Sequence, residues 1–162
     1  MANAQQTRNK DTDESLSYMS KVALIGICGG IIWSIIGYIA FFLNFSRVGP
    51  ALVLMPWALG DWKNGYLGQW IGILVIGLLS ILSAYLYKVI FQKWDSLIPG
   101  MIYGFVLWLL VFYILNPLFP GLKPLPLLDF NTIATNICLY ILYGVFIGYS
   151  ISYEYTTMKE SS

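Results

Sequence analysis

Four uncharged apolar runs divide this chain. Val22–Ser46 lies between Lys21 and Arg47, and Asn64–Tyr87 between Lys63 and Lys88. Ser96–Leu122 lies between Asp95 and Lys123, and Phe130–Tyr153 between Asp129 and Glu154. Each run exceeds the roughly 20 residues that carry a helix across a ~30 Å hydrocarbon core. Lipid offers no hydrogen bonds to a bare backbone, so such runs must be helical. The predicted fold class is all-α: an integral membrane four-helix bundle, with spans near 22–45, 66–87, 98–118 and 131–153.

With 162 residues, four spans leave little chain for a soluble domain. Residues 21–155 are read as one membrane domain. Residues 1–20 carry Arg8, Lys10, Asp11, Asp13 and Glu14, and read as a disordered cytoplasmic tail. Residues 156–162 read as a second, short tail. The first apolar run is too long for the core of a secretory signal, so it reads as an uncleaved anchor. A net charge of +1 gives no basis for a nucleic-acid partner. The chain has no histidine, the usual acid–base group at neutral pH. Cys28 and Cys138 enter from opposite sides at different depths and are expected as free thiols, since a disulfide needs Cα atoms within about 7 Å. No metal or cofactor is expected.

An even number of spans places both termini on one side. That side would hold Arg8, Lys10, Lys21, Lys88, Lys93 and Lys159, against Arg47, Lys63 and Lys123 on the other. The balance predicts a plasma-membrane protein with both termini cytoplasmic. The first outer loop contains the apolar segment Val48–Gly60, with Pro50 and Pro56. Its 13 residues are too few to cross the membrane, so a short interfacial or re-entrant segment is expected. Trp57, Trp62 and Trp70 fit an aromatic belt at headgroup depth; a lid over a lipid-contacting groove is the alternative. The second outer loop, Pro117–Asp129, is stiffened by Pro117, Pro120, Pro124 and Pro126.

Every run carries a Gly-x-x-x-Gly spacing: Gly26/Gly30, Gly68/Gly72, Gly100/Gly104 and Gly144/Gly148. Leucine between helices gains little over leucine in lipid, whereas small residues let backbones approach. These glycines, with Gly37, are the expected helix-packing positions, either inside one bundle or partly between copies.

No Asp, Glu, Lys or Arg lies deep in a span, which argues against proton-relay and voltage-sensing roles. No metal-protease, nucleophile-elbow or phosphate-loop motif is present, so enzyme activity is not expected. Polar residues gather toward the predicted outside. Asn44, Asn116, Asn131, Asn136, Tyr113 and Tyr140 could form a shallow outer-leaflet pocket; amides tied to loop backbone are the plainer reading.

The segments NFSRVGP (Asn44–Pro50), PWALGDWK (Pro56–Lys63), LNPLFP (Leu115–Pro120) and Asn131–Glu154 resemble the YqhR family of conserved bacillar membrane proteins. The resemblance runs from the first span to Glu154. It implies a multispanning plasma-membrane protein of spore-forming Gram-positive bacteria, with no assigned activity and no functional residue to carry over. Two functional readings stand beside it. One is a non-enzymatic interaction or assembly component of the cell envelope. Its partners are the bilayer and, through glycine faces, another membrane protein or a second copy. The other is a small transporter or lipid-handling protein using the outer pocket. A tightly packed bundle favours the first, and a cavity reaching the bilayer midplane the second.

Overall fold

The computed structural model describes residues 2–57, 60–91, 93–94, 96–119 and 122–161, with side chains from Leu16 onward, apart from Asn64 and Ser161. Part of the Val48–Gly60 segment, Asp95, and Pro120 of the second outer loop therefore lie outside the described residues. Four helices, α1 (Ala2–Phe42), α2 (Tyr66–Phe91), α3 (Leu97–Leu109) and α4 (Phe130–Ser161), make the fold all-α, and no strand occurs among the described residues. All four are long and apolar enough to cross a membrane, over Leu16–Phe42, Tyr66–Phe91, Leu97–Ile114 and Phe130–Glu160.

Two boundaries differ from the sequence reading. Residues 2–20, read as a mobile tail, continue α1 without a break. No glycine or proline occurs before Gly26, and extending an existing helix costs far less than nucleating one. Tyr18 also holds this end in place: it is buried against Tyr155, with the Lys88 ammonium 4.7 Å from its ring centre. The third span was expected to reach residue 118, but its regular helix stops at Leu109. A wide π-helical turn follows over Leu110–Ile114, closed by the Leu115 N–H donating to the Leu110 carbonyl at 2.9 Å. Pro117 lacks a donor and disfavours helical geometry at Asn116, so the helix cannot continue through it.

The helices pack as two hairpins. α1 lies along α2, α3 along α4, and α1 also touches α4. Glycines make both hairpin seams. A Cβ added to Gly26 would lie 2.9 Å from the Ser80 carbonyl oxygen, and one on Gly30 would lie 2.9 Å from Gly77 Cα. Gly100, Gly104 and Gly144 meet backbone to backbone between α3 and α4, and Gly148 sits over Gly100. A Cβ added to Gly29, outside the spaced pairs, would lie 3.1 Å from the Phe146 and Ile147 side chains of α4. Gly68 and Gly72 behave differently. They face the loop backbone of Lys63 and Pro50, not another helix.

Both termini lie at one end, here the terminal end. Lys21 Nζ there donates to Glu154 Oε2 at 2.7 Å, joining α1 to α4. At this end α2 also meets α3, through Tyr103: its hydroxyl is 2.8 Å from Ser83 Oγ, and its ring contacts Tyr87 and Phe91. α2 and α3 do not pack along their length.

Candidate functional site

The distal half of the bundle encloses a cavity of about 300 Å³. Its walls come from all four helices. Small residues on one face of α1 (Gly30, Ser34, Gly37) leave the space, and Leu139 and Tyr140 of α4 border it. A Cβ on Gly37 would meet only Leu139, at 3.8 Å, so this glycine adjoins open volume where the seam glycines adjoin backbone. The π-helical turn supplies Val111 and Phe112. A wide turn shifts the following side chains out of α-helical register.

The Val48–Gly60 segment roofs this space. A 3-10 turn over Pro50–Leu54 rests on the first turns of α2, where Gly72 lets the Pro50 carbonyl come close. The Ala51 N–H donates to Gln69 Oε1 at 3.1 Å, and both residues are buried. This satisfies a backbone donor that the 3-10 turn leaves open. Val48, Gly49, Pro50, Leu52 and Val53 then line the cavity from above. Trp57 beyond the roof is 82% exposed, and Trp62 and Trp70 are also exposed.

The lining is most exposed on α2. Leu79 lines the cavity while 52% exposed. Ile76 of α2, Leu107 of α3 and Val111 of the π-helical turn line it as well.

The candidate polar residues separate into distinct roles. Asn44 takes φ +61° just after α1, and the Phe45 N–H returns to the Ala40 carbonyl at 2.9 Å. That is a helix C-cap, a left-handed position that asparagine accepts more readily than most residues. Asn116 donates to the Lys123 carbonyl at 3.3 Å within the second outer loop. Asn131 and Tyr113 are exposed. Only Asn136 and Tyr140 of the six line the cavity.

Asn136 also belongs to a latch that binds the end of α1 to the start of α4. Its Nδ2 donates to Ser46 Oγ at 2.9 Å and to the Thr132 carbonyl at 2.8 Å. The Arg47 N–H donates to Thr132 Oγ1 at 3.0 Å, and that hydroxyl donates to Asp129 Oδ1 at 3.1 Å. Asp129 caps α4 by accepting from the Thr132 N–H, and accepts from Arg47 Nε at 3.1 Å. Desolvation works to raise the Asp129 pKa, but the hydrogen bonds from Thr132 and the Arg47 charge outweigh it and hold the carboxyl below its ordinary value.

Most hydroxyls around the cavity are already paired. Ser80 Oγ lies 2.6 Å from the Tyr143 hydroxyl, and Ser34 Oγ donates to the Ile31 carbonyl at 3.0 Å. Trp33 presents its ring to the cavity, while its indole N–H is sealed from the space without a partner. No charged side chain lines the cavity among the described residues. Cys28 and Cys138 are free thiols on the exposed surface.

Of the residues read as an outer pocket, Asn136 and Tyr140 line the cavity. It depends on Trp33, Ser34, Ser80, Ser83 and Tyr143, none of which stood out as a site residue. The one available signal was Gly30, Ser34 and Gly37 at helical spacing, more small surface than a single neighbouring helix can fill.

Four apolar helices around a neutral interior chamber define a multi-pass helical membrane protein. The chain belongs to the YqhR family: the profile described as "Conserved membrane protein YqhR" matches residues 2–162, so both ends are included. It is also 43% identical to the "Uncharacterized protein YqhR" of Bacillus subtilis (strain 168), over 94% of this chain and 92% of that protein. No solved structure matches it.

Proposed function

We propose that this is a non-enzymatic plasma-membrane protein that takes the apolar chain of a lipid-like amphiphile into its interhelical cavity. The observation that carries the reading is a chamber of about 300 Å³ with neutral and largely apolar walls, one of them formed by Leu79, which is 52% exposed on a membrane-spanning helix. An apolar space of about 150 Å³ already accommodates benzene, and ligand pockets begin near 300 Å³. Leu79, exposed on a membrane-spanning helix, meets acyl chains, so the ligand arrives from the bilayer. The glycine faces that suggested an assembly role are occupied by this chain's own helices and loop, which shifts the weight to the cavity.

Gly37→Phe tests this directly. A Cβ there meets nothing closer than Leu139, at 3.8 Å, and the position lines the chamber. In vesicles containing a lipid with a photoactivatable acyl chain, crosslinks in the unaltered protein are expected to concentrate around Ile76, Leu79 and Val111. Gly37→Phe should remove most of that signal while the unfolding temperature holds or rises. Crosslinks spread evenly over the lipid-facing surface, unchanged by the substitution, would defeat the reading.

Both termini are proposed to be cytoplasmic, from six basic residues at the terminal end (Arg8, Lys10, Lys21, Lys88, Lys93, Lys159) against Arg47, Lys63 and Lys123. The cavity then lies toward the outer leaflet. Single cysteines at Ser15 and Lys123, in a background without Cys28 and Cys138, are expected to respond oppositely to an impermeant thiol reagent on intact cells. Lys123→Cys should label and Ser15→Cys should not; the reverse pattern would invert the orientation.

A further inference from the structure

We infer that the polar group of the bound amphiphile is an uncharged hydroxyl, held between Asn136 Oδ1 and the Tyr140 hydroxyl. This rests on the chain-binding reading above and adds the chemistry of the headgroup. The Asn136 amide has a determined orientation. A carbonyl oxygen only accepts, so the atom 2.8 Å from the Thr132 carbonyl must be the amide nitrogen. That nitrogen gives its second hydrogen to Ser46 Oγ. Oδ1 is left as an acceptor without a partner among the described residues, on a side chain that lines the cavity and belongs to a residue only 7% exposed. Tyr140 lines the same wall, and no hydrogen bond reaches its hydroxyl among the described residues; its ring is held edge-on to Phe112.

The two residues are four apart on α4, which places them on one face with Cβ atoms about 5–6 Å apart. One oxygen seated between them can make two hydrogen bonds of about 2.7–2.9 Å. It donates to the amide oxygen and accepts from the phenol. An alcohol does both at once. A carboxylate or a fully ionised phosphate cannot donate to Oδ1, and either would bring a charge into a chamber with no cation to pair it. The other wall hydroxyls, on Ser80, Tyr143 and Ser34, already have partners, and the Trp33 N–H is shut away from the space. The ligand class is therefore a neutral long-chain alcohol. Linear alcohols and diacylglycerols share this group.

The test uses the purified full chain in nanodiscs, with competition against the photoactivatable lipid. Competitors are dodecanol, dodecanoate, dodecyl phosphate and a short-chain diacylglycerol, at neutral pH. Dodecanol is expected to compete at a concentration about tenfold lower than the two anions. Tyr140→Phe, which keeps the ring against Phe112, should remove most of that advantage without changing the unfolding temperature. Diacylglycerol matching dodecanol would identify a glycerolipid source, and failing to match it would identify a single-chain alcohol; either supports the inference. Anions competing as well as the alcohol, or an unchanged preference in Tyr140→Phe, would overturn the hydroxyl assignment while leaving chain binding intact. Absence of competition by every probe would instead remove the chain-binding reading itself.

Discussion

Replacing Gly144 with leucine is expected to lower the midpoint of thermal unfolding in detergent by about 6–12 °C. Gly144 sits on the backbone of Gly100 and Gly104, where an added Cβ would collide with main-chain atoms that cannot rotate away. The cost lies at the upper end of overpacking, about 3 kcal/mol, and each kcal/mol moves the midpoint of a chain this long by about 2–4 °C. Leucine favours helix over glycine by somewhat under 1 kcal/mol, too little to compensate. The reference substitution is Leu78→Ala. Leu78 is 64% exposed toward lipid, and lipid fills the space its side chain leaves. That variant should shift the midpoint by no more than about 2 °C. An unchanged midpoint for Gly144→Leu would mean that the α3–α4 seam is wrongly placed.

Asn136→Leu should be the next most damaging change, at about 1–3 kcal/mol. Leucine is close in size, so the loss is chemical. The Thr132 carbonyl and Ser46 Oγ lose their shared donor, and the turn after α1 loses one tie to α4. Hydrogen exchange would localise the effect. The Arg47 amide, which donates to Thr132 Oγ1, should lose protection, while amides around Gly104 and Gly144 keep theirs. Uniform loss throughout the bundle, or none at Arg47, would show that the latch is not a separate local unit.

The four spans were legible because length and hydropathy are properties of single segments, and a bilayer imposes one length on all of them. Span three shows where that logic stops. Hydropathy continues past Leu109, but the backbone widens at Leu110, and the chain enters Pro117 as a short 3-10 turn over Asn116–Leu118, not as α-helix. The start of α1 was hidden for a related reason. Charge marked residues 1–20 as a tail, whereas the buried Tyr18 ring places its end inside the packed structure. Among the asparagines, residue type alone could not separate uses. Asn44 serves a backbone angle, Asn116 a loop, and Asn136 both a latch and a cavity wall. The cavity is a property of the space between helices. A sequence records what each face carries, but not where two faces fail to meet.

The hairpin arrangement carries a consequence for how the chain is made. Each glycine seam joins consecutive helices, so its contacts are local in sequence and can close as soon as the second helix of a pair is inserted. α1 and α2 can settle against each other while α3 and α4 are still being synthesised. The chamber exists only after the second pair docks through Phe146 and Ile147 on Gly29. Biogenesis thus divides into two self-sufficient insertions and one late joining. The chamber is assembled last, from halves that each reach the membrane without it.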